Sequence, residues 1–168
     1  SSREPTITEE PVARNRWKSR SEYPIRSQAI GMIPKHPIEG VVYPSAEDAD
    51  RYTRFGAWHA STAGDVLRAM AAQLPDKSAI VSEDRHLTYS EFDMATEKLG
   101  AALLDLGLQP GDRAIFQMGS VIETAIALLA CAKAGVVPVC TLPQHRAIEI
   151  GAMVERSKPR AYFVQADF

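Results

Sequence analysis

From Gly111 to Arg146 the chain reads GDRAIFQMGSVIETAIALLACAKAGVVPVCTLPQHR, three apolar runs punctuated by glycines and closed by a polar exit. The runs predict a buried strand (Arg113 to Gln117), a helix (Val121 to Ala134) and a second strand (Val136 to Thr141). Ser120 and Glu123 have the spacing of a capping box, in which each side chain satisfies a backbone N–H left open by the first helical turn. Gly135 suits the end of the helix, because a residue without Cβ enters the left-handed conformation cheaply. The helix is apolar on nearly every face, so it has to be covered on both sides. Strand, helix and strand make a βαβ unit with a right-handed crossover. Such sheets bind ligands beyond the carboxyl ends of their strands, here Met118-Gly119 and Leu142 to Arg146.

The flanks extend this unit. Thr62 and Asp65 offer a capping pattern for a helix with Val66, Leu67, Met70 and Leu74 along one face, closed by Pro75-Asp76. Ala79 to Val81 and His86 to Thr88 read as a hairpin. Thr88 and Glu91 open a long helix whose apolar stripe is Phe92, Ala95, Leu99, Ala102, Leu103 and Leu106, and Gly107 ends it. Pro110-Gly111 suits a type II turn into the strand at Arg113. After His145, Ile148, Ile150, Met153 and Val154 predict a further helix stopped by Pro159, and Ala161 to Val164 a third parallel strand. Glu47 to Arg54 predicts a short helix, followed by a turn in which Trp58 serves packing.

Residues 1–38 differ from the rest. Five prolines and few periodic apolar positions predict an extended, solvated arm that wraps the domain or a partner subunit, with residues 39–168 forming the folded part. Over all 168 residues, 45% are hydrophobic and the net charge is -2, which gives no footprint for nucleic acid. No apolar run reaches the roughly 18 to 20 residues of a membrane span, and no apolar h-region marks a secretory signal. Cys131 and Cys140 lack CxxC spacing or a nearby histidine cluster and read as small buried apolar residues in a reducing, cytoplasmic setting.

The sequence holds no glycine-rich phosphate loop with its lysine, no G-x-S-x-G elbow, no HExxH and no acidic pair at metal spacing, so no catalytic, cofactor-binding or metal-binding residue is assigned. Gly119-Ser120 reads either as an anion site on a helix N-terminus or as a simple cap. His59 and His86 fall in polar stretches and His36 in the arm. His145 differs: at the carboxyl edge of a strand it reads either as a substrate-binding residue at a pocket edge or as a residue that caps the next helix.

Leu87-Thr88-Tyr89-Ser90-Glu91-Phe92 resembles the first core motif of the adenylate-forming enzymes, a superfamily of acyl- and aryl-CoA synthetases, peptide-synthetase adenylation domains and luciferases. Lys133-Ala134-Gly135 with Val137-Pro138-Val139 resembles the second. The run from Val137 to Arg146, and the segment Gly40 to Trp58, look most like the stand-alone aryl-acid AMP ligases that activate 2,3-dihydroxybenzoate or salicylate for siderophores; acid-CoA ligases carry related strings. The resemblance covers Gly40 to Phe168. It implies an α/β fold, a layered parallel sheet forming the N-terminal part of the large domain. It also implies a reaction in which a small carboxylic acid attacks the α-phosphate of Mg2+-ATP and the acyl-adenylate is captured by a thiol. That thiol belongs to the phosphopantetheine of an aryl or acyl carrier protein, or to coenzyme A. The superfamily's phosphate loop, ribose-binding aspartate, hinge and C-terminal lysine fall later than Phe168. The expectation is therefore an N-terminal piece, inactive and cofactor-free by itself, completed by the remainder of a ligase chain. A truncated non-catalytic paralogue acting as a subunit, and a small independent nucleotide-binding domain, are the other readings.

Overall fold

The computed structural model describes residues 40–59 and 61–166, so the arm expected over 1–38, and His36 with it, lies outside the described residues. Helix α1 (Ala46–Arg54) starts at Ser45, whose hydroxyl oxygen accepts the Asp48 N–H at 3.1 Å. The Tyr52 and Trp58 rings lie 5.0 Å apart behind it, which is the packing role expected of Trp58. Helix α2 (Ala63–Gln73) and helix α3 (Tyr89–Asp105) carry the expected capping boxes at Thr62 and Thr88. Between them β1 (Ser78–Val81) and β2 (His86–Thr88) form the antiparallel hairpin. The turn at Pro110-Gly111 closes as a type II turn requires, with Asp112 N–H donating to Gln109 C=O at 2.9 Å and Gly111 at φ 92°.

Strand β3 (Arg113–Gln117), helix α4 (Ile122–Ala134), strand β4 (Val137–Cys140), helix α5 (Ala147–Ser157) and strand β5 (Ala161–Val164) complete the chain in order. The sheet runs β4-β3-β5, parallel throughout, with Ile115 paired to Val139 on one side and Tyr162 on the other. One crossover steps from β3 to β4 and the next steps back past β3 to β5. Two right-handed crossovers in opposite directions put α4 and α5 on opposite faces.

Side chains agree with that placement, because alternate residues of a strand face opposite ways. Ala114 and Phe116 point into the core with Leu103, Leu108, Ala127, Cys131, Ala134 and Val136, and Phe116 stacks on Phe163 at 4.5 Å. Arg113, Ile115 and Gln117 face the other way. Arg113 Nε donates to the Ser157 carbonyl at 2.6 Å and Nη2 to that of Lys158 at 3.1 Å, fastening the end of α5 to the start of β3. Gln117 fastens the chain ahead of α5 at the other end, and Ile115 between them is buried.

Three expectations are corrected. Helix α4 begins one residue later than predicted, with Val121 as its N-cap and no side-chain cap, so Ser120 and Glu123 form no capping box. The Glu123 carboxylate is instead paired with Arg85 of the hairpin loop. The buried line of α3 is Phe92, Thr96, Gly100 and Leu103, whereas Ala102 and Leu106 face outward. A Cβ on Gly100 would stand 3.2 Å from the Ala130 carbonyl, so α3 and α4 approach along small residues rather than along the most apolar ones. Cys131 is buried as expected, but Cys140 closes edge strand β4 and is exposed.

Candidate functional site at the carboxyl ends of the sheet

Adjacent parallel strands whose crossovers leave to opposite faces part at their carboxyl ends and open a crevice. Here those strands are β3 and β4. The loop leaving β3 is built around Gly119: Val121 N–H and Thr124 Oγ1 both donate to its carbonyl, at 3.0 and 2.7 Å, and its N–H donates to Gln165 Oε1 at 3.1 Å. The loop leaving β4 is anchored at Thr141, whose N–H and hydroxyl both donate to the Phe116 carbonyl, at 2.9 and 3.0 Å. Between the loops lies a hollow of about 560 Å³ walled by Ile80, Met118, Gly119, Leu128, Leu142 and Pro143. A more polar hollow of about 630 Å³ adjoins it, between the hairpin loop at Ser82 to Arg85 and the start of α4 at Ser120 to Glu123.

His145 sits on the far side of the β4 exit loop, half-buried, and lines a separate hollow of about 260 Å³ with Gln117, Arg146, Ala147, Ile150 and Tyr162. Its N–H donates to the Leu142 carbonyl at 3.0 Å and its Nδ1 accepts the Leu142 N–H at 3.3 Å. With Nδ1 accepting, the neutral ring carries its proton on Nε2 and offers that nitrogen as a donor. The cap of α5 is made by Glu149, which accepts the Arg146 N–H at 3.0 Å and is held below the usual carboxylate range by that bond. His145 therefore orders its own loop and leaves the helix cap to a neighbour. His59 and His86 are exposed and stand away from the crevice lining.

Gln117 is the functional candidate that the sequence did not single out. It is 6% exposed, and its Nε2 donates to the carbonyls of Pro143 at 3.0 Å and His145 at 2.8 Å. The Tyr162 hydroxyl donates to its Oε1. The available signal was a polar side chain closing an otherwise apolar strand at the carboxyl end.

Ser120 is exposed and stands one position ahead of the helix cap. Cys131 is no nucleophile: burial, then the neighbouring Cys140, push its thiol up to about 11. Among the described residues no group of three or more His, Cys, Asp or Glu could hold a metal ion, and no helix is long and apolar enough to cross a membrane. What these residues build is a crevice wall and the loops that shape it.

Comparison with known proteins bears on that wall. Residues 67–168 match the profile of the family described as AMP-binding enzyme. The 2,3-dihydroxybenzoate-AMP ligase of Bacillus subtilis is 35% identical over 118 residues, 70% of this chain and 22% of that protein. The salicyl-AMP ligase / salicyl-S-ArCP synthetase of Mycobacterium tuberculosis is 37% identical over 123 residues, again 70% of this chain and 22% of that protein. Among solved structures, apo MbtA of Mycobacterium smegmatis superposes with a TM-score of 0.70 at 36% identity, over 73% of this chain and 23% of that one. The chain thus spans about a fifth of the length of the curated relatives it matches. The two core motifs and the parallel β4-β3-β5 sheet all fall within the residues that the family profile matches, and the chain belongs to the AMP-binding enzyme family.

Proposed function

We propose that this chain supplies the amino-terminal part of an ATP-dependent ligase that activates a small aryl acid. In the reaction, a carboxylate oxygen attacks the α-phosphate of ATP, the bond to pyrophosphate breaks, and a thiol then takes the acyl group of the acyl-adenylate as a thioester, breaking the acyl–phosphate bond and releasing AMP. The observation that carries this reading is the 35 to 37% identity to two ligases named for aryl acids, each over 70% of the chain. Membership of the AMP-binding family brings ATP with it; Mg2+ as its counter-ion and a carrier-protein phosphopantetheine as the acceptor belong to the proposal. So does a cytoplasmic setting, where ATP and the thiol acceptor are both at hand.

In this reading the phosphate cradle comes from the remainder of the ligase chain, and the part of these residues is positioning. The β3 and β4 exit loops set one wall of the crevice, and His145, across the β4 exit loop, offers an Nε2–H donor to the separate 260 Å³ hollow for a carboxylate or an ortho-hydroxyl. The test is ATP–pyrophosphate exchange by the full-length protein with salicylate, 2,3-dihydroxybenzoate, benzoate and a fatty acid. Exchange with an aryl acid and none from residues 1–168 alone is the expected result. Exchange confined to the fatty acid, or none with any acid, would refute it. Transfer to a phosphopantetheinylated carrier protein against coenzyme A then identifies the acceptor.

A further inference from the structure

We infer that Gln117 is a positioning residue that sets the β4 exit loop, and that Tyr162 braces the Gln117 amide there by donating to its oxygen. The inference rests on the acid-ligase reading for its consequence in activity, and on geometry for the rest. A primary amide has two donors and one acceptor oxygen, and a flip exchanges them. At Gln117 both donors are used on consecutive stretches of one loop, the carbonyls of Pro143 and His145. The oxygen is engaged by the hydroxyl of Tyr162, which stands on β5 two residues before Val164, the register partner of Gln117, and so on the same face. A flipped amide would turn its oxygen on two carbonyl oxygens, so these carbonyls exclude the flip, and the tyrosine proton satisfies and braces the oxygen that remains. Arg146 Nη1 donates to the same two carbonyls at 3.2 and 3.0 Å, but from the exposed side of the loop, where water competes.

The consequence is a chain of contact running from β5 through β3 to the loop that divides the 560 Å³ crevice from the 260 Å³ hollow. Any movement of Tyr162 is felt at His145, although Tyr162 is not part of the larger crevice. A buried amide whose partners are both in one loop fixes that loop far better than solvent-exposed bonds do.

The experiment uses the full-length protein with Tyr162→Phe, Gln117→Leu and Gln117→Glu. Two quantities are read: tryptic cleavage after Arg146, which follows local opening of the loop, and the kinetic constants of ATP–pyrophosphate exchange. Loss of one part-buried hydrogen bond should raise both the cleavage rate and the KM for the acid about tenfold in Tyr162→Phe, with a smaller change in kcat and little change in melting temperature. Gln117→Leu should go further. Gln117→Glu, whose ionised carboxylate cannot donate, should recover part of its KM as the pH is lowered and the carboxyl regains a proton to donate. Unchanged cleavage and KM in Tyr162→Phe and Gln117→Glu would overturn the inference. So would a fall in melting temperature with uniform cleavage and unaltered KM, the mark of a purely structural role. If the wild type itself shows no exchange, the ligase reading fails, while the cleavage measurement still decides whether the loop is set by Gln117.

Discussion

The Lys133 ammonium lies 2.7 Å from an Asp93 carboxylate oxygen, 3.1 Å from Glu97 and 3.0 Å from the Asp93 carbonyl, with only 7% of its side chain exposed. Its stem runs under α2: a Cβ on Gly64 would stand 2.8 Å from Lys133 Cγ. This one side chain therefore joins α2, α3 and α4, its apolar stem taking the place of packing and its charge that of a cross-link. Lys133→Met keeps the stem and strands Asp93 beside the core. The expected loss is about 2 kcal/mol, between the values for exposed and for fully buried pairs, because Asp93 keeps some access to water. Lys133 also holds the Glu97 carboxyl below its ordinary range, through the hydrogen bond first and the charge second. A depressed carboxyl contributes stability above its unfolded value and loses it as the pH falls through the folded one. Denaturant melts at pH 7 and pH 4 should therefore show wild type losing more on acidification than Lys133→Met does. Gly64→Ala should destabilise by about 1 kcal/mol or more although alanine is the better helix former, since the clash falls on the middle of a buried stem and not on its free end.

Helix starts differ in how well they are finished, and the differences are measurable. Thr62 and Thr88 close full boxes with Asp65 and Glu91, and both carboxyls are held low, first by the backbone N–H of the capping threonine. Thr88→Ala should cost about 1 kcal/mol. Helix α4 starts at Val121 in the extended conformation a cap needs, φ -118° and ψ 161°, but without a side-chain acceptor. Val121→Thr keeps a branched apolar group there and adds the oxygen, and should stabilise by about 0.5 to 1 kcal/mol in an equilibrium denaturation series. These starts also show what could be read from the residues. The boxes at Thr62 and Thr88 were legible because capping is settled within four residues. Ser120 and Glu123 have the same spacing, yet Glu123 is drawn to Arg85 across 38 positions of sequence, and local spacing carries no information about such a partner. The strands were legible from apolar runs bounded by glycine and proline, whereas the pairing of β5 with β3 was not. The buried line of α3 was not, because Thr96 and Gly100 are inside for their size and not for their hydropathy. Gln117 escaped for a related reason: its buried amide makes sense only with the Pro143 to His145 loop folded over it.

At the scale of the whole molecule, the two faces of the sheet are unequally built. The α4 face carries the core cluster and is closed over by α3, whereas α5 buries none of its residues, with Ile148 86% and Val154 43% exposed. Tyr162 and Val164, on the same face of β5, are half exposed as well. What holds α5 is polar and sits at its ends, Arg113 at one and Gln117 at the other, with Ile115 between. End tethers fix a helix in place but contribute little against its local unfolding, which depends on buried apolar area. In the 168-residue chain the amides of α5 should accordingly exchange about a hundredfold faster than those of β3 and α4, which open only with the core. In the full-length protein, where the reading proposed here sets further chain against β5 and α5, their protection should rise toward that of β3. Hydrogen exchange followed by mass spectrometry resolves the two segments separately. Equal protection of α5 and α4 in the short chain would show that two end tethers and one buried isoleucine suffice, and that the exposed face asks for no cover.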